Sequence, residues 1–306
     1  MEEQAYVVVI GGLNMDVAGL CGDIYREKDS NIGSVELSAG GVGHNIAQNL
    51  AKLGVPVELI TVFGDDHFGR ILEEECGNDG ISLKYAERIP GGKSCTYLYV
   101  TDNQGEMMSA VNAMELITRV TPAFLEARKE LINHASLCVV DANISEESIQ
   151  WLAENCTVPM YADPVSTIKL PRLRPLLPRL DGFKPNGLEA QLLTGIEITD
   201  ESSARRAAEI LLDMGVKNLF ISLGKDGIFC CNRQESALVP IVKTEIVSVN
   251  GAGDCSMAVI CWARYRFGET LPLRRIGEMT QKAASLTLQS PNTVSPLLCE
   301  EALISS

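Results

Sequence analysis

The sequence predicts an α/β fold: a mostly parallel central sheet covered by helices on both faces, with a small second sheet projecting from it. Three observations carry this expectation. Strand-length apolar runs alternate with helix-length segments through most of the chain. Some of those runs, such as residues 6–10, are continuously apolar, as strands covered on both faces are. Residues 81–112 break the rhythm, with strand-like runs at 94–101 and 107–111 flanking Asp102-Asn103-Gln104-Gly105, a hairpin signal.

The elements follow in order. Strand 6–10 closes in the tight turn Gly11-Gly12. A helix over 44–53 follows Gly40-Gly41-Val42-Gly43. Its Ile46, Ala47, Leu50, Ala51 and Leu53 mostly keep helical spacing, and Gly54 stops it. A strand over 57–62 and a helix over 68–76 come next. The glycine-spaced stretch 15–40 and residues 84–113 are read together as the projecting sheet, in which Tyr97 and Tyr99 alternate with Leu98 and Val100 as on two unlike faces. A lid over a site and an edge extension of the main sheet both fit that pattern. From residue 121 the spacing predicts helix 122–133, strand 136–141, helix 145–155, strand 158–162, helices 187–193 and 201–213, and strand 217–222. Residues 171–178, rich in proline, read as an irregular connection with short turns. A strand-like run, 246–249, precedes a helix over 252–266, and a helix over 270–289 closes the pattern. No repeat or low-complexity tail occurs, and the length fits one large domain or two small ones.

Composition narrows the function classes. With 46% hydrophobic and 22% charged residues the chain is an ordinary globular protein. A net charge of -14 opposes a nucleic-acid partner. A small anionic ligand then needs Mg²⁺, a helix N-terminus or a few lysines to meet its charge. The ten cysteines include no C-x-x-C and the three histidines are scattered, so no structural zinc site is expected. Cysteines in apolar runs, such as Leu137-Cys138-Val139-Val140, read as small buried hydrophobes in a reducing compartment. The opening Met1-Glu2-Glu3-Gln4 is unlike a signal peptide, and no stretch approaches the ~20 apolar residues that span a membrane, so a cytoplasmic location without a membrane partner is expected.

Five motifs carry chemistry. Asn250-Gly251-Ala252-Gly253-Asp254 opens a helix with small residues whose N–H groups can converge on an anion, such as a phosphoryl group in transfer. Asp254, in the first turn, can take the proton of an attacking hydroxyl; a glycine-rich turn capped by Asp254 fits as well. Gly40-Gly41-Val42-Gly43-His44-Asn45 lacks the Gly-Lys-Ser/Thr of a Walker A loop and shares only two glycines with the dinucleotide fingerprint, which disfavours an NAD-dependent oxidoreductase. Its glycines allow close approach of a ligand and Asn45 can bond hydroxyls, or the segment is a tight loop. In Lys184-Pro185-Asn186-Gly187-Leu188-Glu189, Asn186 and Glu189 share a helix face, either as a capping box or facing Mg²⁺ waters and phosphate oxygens. Ser222-Leu223-Gly224-Lys225-Asp226-Gly227 is a hairpin turn or a set of donors beside a nucleotide. Asn14-Met15-Asp16, just past the first strand, offers a short carboxylate suited to a pair of sugar hydroxyls.

The order of these motifs, over essentially the whole chain, resembles the ribokinase-like (PfkB) family of carbohydrate and nucleoside kinases. Longer stretches, among them Gly40-Gly41-Val42-Gly43-x-Asn45-Ile46-Ala47-Gln48-Asn49-Leu50, Asn143-Ile144-Ser145-Glu146-Glu147 and Asp163-Pro164-Val165-Ser166, are similar to nucleoside-phosphorylating members. The resemblance implies a three-layer α/β/α fold with a β-sheet lid, and transfer from ATP to a small sugar or nucleoside. Asp254 would be the base, with the N–H groups of Gly251, Ala252 and Gly253 forming an anion hole. Asn14, Asp16 and Asn45 would bind sugar hydroxyls close to Gly40 and Gly41. Asn186, Ser222, Gly224 and Gly227 would line the ATP site, and Glu189 would hold Mg²⁺ through water. Ser94, Thr96 and Asn112 would read the substrate from the lid, and the lid would pair two chains into a homodimer. Many members carry Asp-Thr where this chain has Ser248-Val249, and that Asp helps bind an activating monovalent cation, so the resemblance leaves such a cation open. It gives His44 no role. A non-catalytic sugar- or nucleoside-binding regulator is the alternative from another class, and the intact Gly-Ala-Gly-Asp argues against it.

Overall fold

A computed structural model describes residues 5–304. In chain order its strands are β1 (Val7–Ile10), β2 (Asn14–Cys21), β3 (Gly33–Gly40), β4 (Val57–Ile60), β5 (Val62–Gly64), β6 (Ile81–Ser82), β7 (Glu87–Ile89), β8 (Thr96–Thr101), β9 (Met107–Ala113), β10 (Leu137–Asp141), β11 (Met160–Asp163), β12 (Leu180–Phe183), β13 (Asn218–Ser222), β14 (Ile228–Cys231) and β15 (Ser236–Val239). The α-helices are α1 (Val42–Lys52), α2 (His67–Asn78), α3 (Pro122–Glu126), α4 (Lys129–His134), α5 (Glu146–Asn155), α6 (Gly187–Thr194), α7 (Glu201–Asp213), α8 (Ala252–Phe267), α9 (Leu273–Leu288) and α10 (Glu300–Ile304).

Nine strands form one sheet in the order β15-β14-β13-β12-β11-β10-β1-β4-β6. Every pairing from β6 to β13 is parallel, and only the β13–β14–β15 edge is antiparallel. Alternation along the strands divides the core. Val7, Val9, Leu137 and Val139 pack under α1, α8 and α9, whereas Val8, Ile10, Cys138 and Val140 pack on the other face under α5 and α7. All cysteines except Cys21 and Cys299 are buried, and all are free thiols, in keeping with their reading as small hydrophobes. Among the described residues no helix is long and apolar enough to cross a membrane.

The chain leaves β1 toward β4 on one side and returns to β10 on the other. Crossovers therefore diverge at the β1–β10 boundary, which opens a crevice beyond the carboxyl ends of the strands. Asp141, the last residue of β10, is fully buried there. Its Oδ2 accepts hydrogen bonds from Gly12 N (2.8 Å), Gly43 N (2.8 Å) and Asn143 Nδ2 (2.9 Å), and its Oδ1 accepts one from Asn143 N (2.8 Å). Position 11 must be glycine, because a Cβ there would overlap the Asp141 carboxylate. One side chain thus ties the ends of β1 and β10 to the start of α1.

The small sheet is separate, in the order β3-β2-β8-β9, so it does not extend the edge of the large sheet. Asp102 makes the predicted hairpin turn, its carboxylate accepting from Gln104 N and Glu106 N while Gly105 takes φ 84°. Pairing puts Ser38, Asp16, Tyr97 and Asn112 in one row across the sheet and Leu37, Val17, Leu98 and Val111 in the neighbouring row, on the opposite face.

Several boundaries differ from expectation, each for a local reason. The run at 57–62 divides into β4 and β5, and β5 pairs with β7 in a two-stranded sheet, so residues 84–95 lie outside the small sheet. The helix at 122–133 breaks into α3 and α4 at Arg128. The Arg128 guanidinium bonds Phe124 O (2.8 Å) and Tyr85 O (2.6 Å), while its N–H goes to Leu125 O in a tighter turn. Residues 246–249 are not a strand: Ile246, Val247 and Val249 are exposed, and Val247 N and Ser248 N bond Leu288 O instead. The unpredicted β12 contains Gly182, where a Cβ would strike the Tyr161 ring, so its glycine answers to packing and disguises the strand.

Replacing Asp141 by Ala leaves the buried N–H groups of Gly12, Gly43 and Asn143 without their acceptor. Urea denaturation is expected to show a loss of about 3 kcal/mol or more, and a loss under about 1 kcal/mol would mean that the clamp is dispensable.

Candidate active site

The strand ends supply the site. Asp163 ends β11, Lys184 follows β12, and Ser222 ends β13 and bridges to Asn186. Together with the start of α8 they line a cavity of about 520 Å³. Of the residues singled out in the sequence, Asn186, Glu189, Ser222, Gly224, Gly227, Ala252, Gly253 and Asp254 line it. Gly251 does not; it is the residue before the helix, at φ 77°, where a Cβ would overlap Thr293 O. The first bond of the α8 ladder runs from Cys255 N to Gly251 O (2.8 Å), so the N–H groups of Ala252, Gly253 and Asp254 have no intrahelical acceptor. A helix of 16 residues also brings the positive end of its dipole to that point.

The second half of the predicted set approaches from the small sheet. Asn14 Nδ2 donates to Asp16 Oδ1 at 2.6 Å on β2. Gly40 lies against them: a Cβ there would overlap the Asp16 carboxylate, and one on Gly41, at φ 100°, would meet Gly12 O and Asn14 Oδ1. Asn45 joins the halves, with Nδ2 donating to Asp254 Oδ2 at 2.7 Å. The two clusters, separated by some 200 residues in sequence, meet at this bond.

The lid residues divide. Asn112 shares a row with Asp16, so it faces the same side. Thr96 has the opposite parity and bonds Ser94 O (3.1 Å). Ser94 is buried and fully used, its N–H and Oγ bonding Asp66 while Gly64 N bonds its Oγ. Neither Ser94 nor Thr96 is placed to read a ligand; Tyr97, in Asn112's row, is better placed.

Asn186 and Glu189 do form a capping box, Glu189 N to Asn186 Oδ1 and Asn186 N to Glu189 Oε2, each at 2.9 Å. The box uses one oxygen of each side chain. It leaves Asn186 Nδ2 and Glu189 Oε1 for the cavity, so the structural role does not exclude the other. Gly227 (φ 97°) packs against Val239 O and serves the β13–β14 turn.

Sequence reasoning passed over Asp163 and Lys184. The Lys184 ammonium is buried, lies 3.4 Å from Asp163 Oδ2, and would stand 3.7 Å from a Cβ on Gly253. It is therefore the buried positive charge beside the free N–H groups. Val165, two residues after Asp163, has φ 64°, a strained conformation for a β-branched residue, held by a bond from Val165 N to Asp163 Oδ1 (2.8 Å). The signals were present in Lys184-Pro185-Asn186 and Asp163-Pro164-Val165, but neither has a spacing that declares a role.

Burial dominates the electrostatics. It pushes the Asp254 carboxyl up to about 7, with repulsion from Asp163 adding to it and the Asn45 bond and Lys184 opposing it. It pushes Asp16 up to about 6 against the Asn14 bond. Glu189 is also raised by burial, against its bond from Asn186 N. A carboxylate near neutrality, beside unpaired N–H groups and an ammonium, can accept a proton from a hydroxyl while the donors hold an anion.

The model of the pfkB family carbohydrate kinases matches residues 4–298, and the chain belongs to that family. It is a phosphotransferase with an alcohol group as acceptor. It is 35% identical over 309 residues to a pseudouridine kinase of Escherichia coli K12, covering 100% of this chain and 97% of that one. It is 31% identical to the uncharacterized sugar kinase YeiI of the same organism, over 100% of this chain and 84% of the relative. A solved carbohydrate kinase from Agrobacterium tumefaciens superposes with a TM-score of 0.84 at 27% identity, covering 98% and 96% of the two chains. The fold is ribokinase-like α/β, as expected.

Two consequences follow for Asp254. Turnover should rise with pH up to about 7 and level off above it, because only the ionised carboxyl accepts the proton. Asp254→Asn should lower kcat on the order of a thousandfold or more. A carboxyl raised by burial costs stability increasingly as pH climbs from its ordinary 3.8 through about 7. The amide removes that cost, so Asp254→Asn should not lower Tm at pH 8. A variant that is inactive only because it is less stable would overturn this role.

Proposed function

We propose that the protein is a pseudouridine kinase, transferring the γ-phosphoryl group of ATP to the 5′-hydroxyl of pseudouridine to give pseudouridine 5′-phosphate and ADP. The observation that carries the transfer is Asp254 at the start of α8, bonded by Asn45 and set beside the free N–H groups and Lys184. What supports pseudouridine as acceptor is the 35% identity, end to end, with the pseudouridine kinase of Escherichia coli.

In this reading the sugar lies between the small sheet and α1, with Asp16, Asn14 and Asn45 bonding its hydroxyls and Gly40 and Gly41 leaving it room. Asp254 takes the proton of the 5′-hydroxyl. The new O5′–P bond forms as the bond to the β-phosphate oxygen breaks, and ADP leaves. The N–H groups of the anion hole, in the Gly251–Gly253 turn and the first residues of α8, take up the charge on the transferring group, with Lys184 beside them. ATP occupies the 520 Å³ cavity, with Asn186, Ser222 and Gly224 toward its phosphates and Ile241, Val242, Ile246 and Leu288 as an apolar wall for the base.

Mg²⁺ fits the donors present. Among the described residues no group of three or more His, Cys, Asp or Glu could hold a metal. The capping box leaves one carboxylate oxygen, Glu189 Oε1, toward the cavity, which suits an ion that keeps several waters and is held mainly by phosphates. When bound, Mg²⁺ neutralises phosphate oxygens. Ser248 supplies no carboxylate for a monovalent cation, so dependence on potassium stays outside this proposal.

The 31% identity with a sugar kinase supports a second reading, in which the same machinery phosphorylates another nucleoside or a sugar. An ADP-release assay with pseudouridine, uridine, ribose and fructose separates them. Selective turnover of pseudouridine is expected. Preference for another acceptor would discard the substrate and keep the transfer, and silence on every acceptor, with binding retained, would favour a non-catalytic regulator.

The reading extends to a cytoplasmic homodimer formed through the lid. Leu37, Leu98 and Val111 are 50%, 40% and 59% exposed in one apolar row on the face away from Asp16. Sedimentation equilibrium should show a dimer that Leu37→Glu with Val111→Glu converts to monomer; a monomeric parent chain would end the proposal.

A further inference from the structure

His44 is the one polar side chain of the Gly40–Asn45 motif for which neither the motif nor the proposed transfer has a use. It is 1% exposed, at the first turn of α1, with its backbone N–H bonded to Gly12 O (3.0 Å). Its Nδ1 lies 3.3 Å from Asn45 Oδ1, and its Nε2 is buried without a partner. A buried imidazole with one idle nitrogen is a cost that an aliphatic side chain of the same size would avoid.

The other end of the same amide explains the arrangement. Asn45 Nδ2 donates to Asp254 Oδ2 at 2.7 Å. An Asn side chain can present either end to a neighbour, and a flip would set Oδ1 against the Asp254 carboxylate, acceptor against acceptor. The flip is prevented if Oδ1 is held by a donor. The Nδ1–H tautomer of His44 is such a donor. The Nε2–H tautomer would turn a lone pair on Oδ1 and still leave the second nitrogen unpaired.

We infer that His44 is a positioning residue for the transfer: as the neutral Nδ1–H tautomer it locks the Asn45 amide, so that Asn45 Nδ2 always faces Asp254. This rests on the reading of Asp254 as the base. His44 acts through Asn45 and touches neither reactant.

The surroundings are consistent with a neutral ring. Burial lowers the His44 pKa, outweighing the Asn45 bond and the nearby Asp79 at the end of α2, whose carboxylate is itself bonded by Gln48 Nε2 (2.6 Å). The charged groups facing Asp254 are Asp163 from β11, Lys184 after β12 and, more weakly, Asp141 from β10. None of them is altered by a change at His44. The hydrogen bond from Asn45 is the contribution that His44 controls, and it favours the ionised carboxyl.

The test compares three variants. In His44→Leu the amide is unlocked, and the acid limb of the kcat profile should move up by roughly one pH unit. Turnover near pH 6 should fall roughly tenfold and at about pH 9 stay within about twofold, with KM for ATP unchanged. His44→Asn places an amide nitrogen where Nδ1 stands and should restore the profile. His44→Gln places it where Nε2 stands and should not. The Asn and Gln comparison decides the matter even if the Leu variant folds poorly.

A ¹³C titration of the Asp254 carboxyl, assigned by its loss in Asp254→Asn, reads the same shift without any substrate. If the parent chain turns over no acceptor, the transfer reading fails, and the titration alone still decides the role of His44. An Asp254 carboxyl that titrates identically in folded His44→Leu and the parent overturns the inference, as do Asn and Gln variants that behave alike.

Discussion

The hydrogen bond between Asn45 and Asp254 is the contact on which the arrangement of the site depends. Asn45 sits on the first turn of α1, whose position is set by the Asp141 clamp and the glycines around it. Asp254 sits on the first turn of α8, which packs on α1 across the same face of the sheet. Each half would be an ordinary helix start if separated. Joined, they put a half-buried carboxylate and a line of unpaired N–H groups into one crevice beside the small sheet. The crevice lies beyond the carboxyl ends of β11, β12 and β13, beside the point where the strand order reverses.

Closeness, more than flexibility, accounts for the glycines. At positions 11, 40 and 43 a single methyl group would overlap Asp141, Asp16 or the backbone of Gly11. These three overlaps mark where β1, the small sheet and α1 come together. A motif read in the sequence as room for a ligand therefore has a prior structural purpose: it lets protein backbone approach protein carboxylates. The space for a ligand is what remains after that approach is made.

The sheet, its helices and the small second sheet were legible because they rest on periodicity, which is local. The lid hairpin was legible from Asp102 and Gly105, whose turn chemistry is equally local. Strand β12 was hidden because Gly182 answers to the Tyr161 ring from a neighbouring strand, and the exposed run at 246–249 misled because apolar composition alone does not supply a partner strand. In the site, residues carried by a dense motif were found, and eight of them line one cavity. Asp141, Asp163 and Lys184 were not, since each is a lone charge at a strand end whose meaning comes from what the sheet brings beside it. Ser94 and Thr96 were misplaced for the same reason: strand parity and a partner 28 residues away decide where they point.

The charge balance of the crevice shapes what it can accept. Asp163, Glu189 and Asp254 line one cavity with Lys184 as their buried counter-charge, while Lys225 stands exposed at the mouth. Adding a triphosphate to three carboxylates and one ammonium is unfavourable unless further positive charge enters with it. The helix dipole and free N–H groups of α8 meet part of that need at one end, where the terminal phosphoryl group would lie. Near the capping box the start of α6 and the exposed Lys225 add less, and Glu189 keeps an oxygen open there. An acidic site of this kind rejects a bare polyanion and admits a cation-bound one. The raised pKa of Asp254 owes most to burial, and repulsion from Asp163 adds to it; together they keep the base close to neutrality, where proton transfer in either direction costs least.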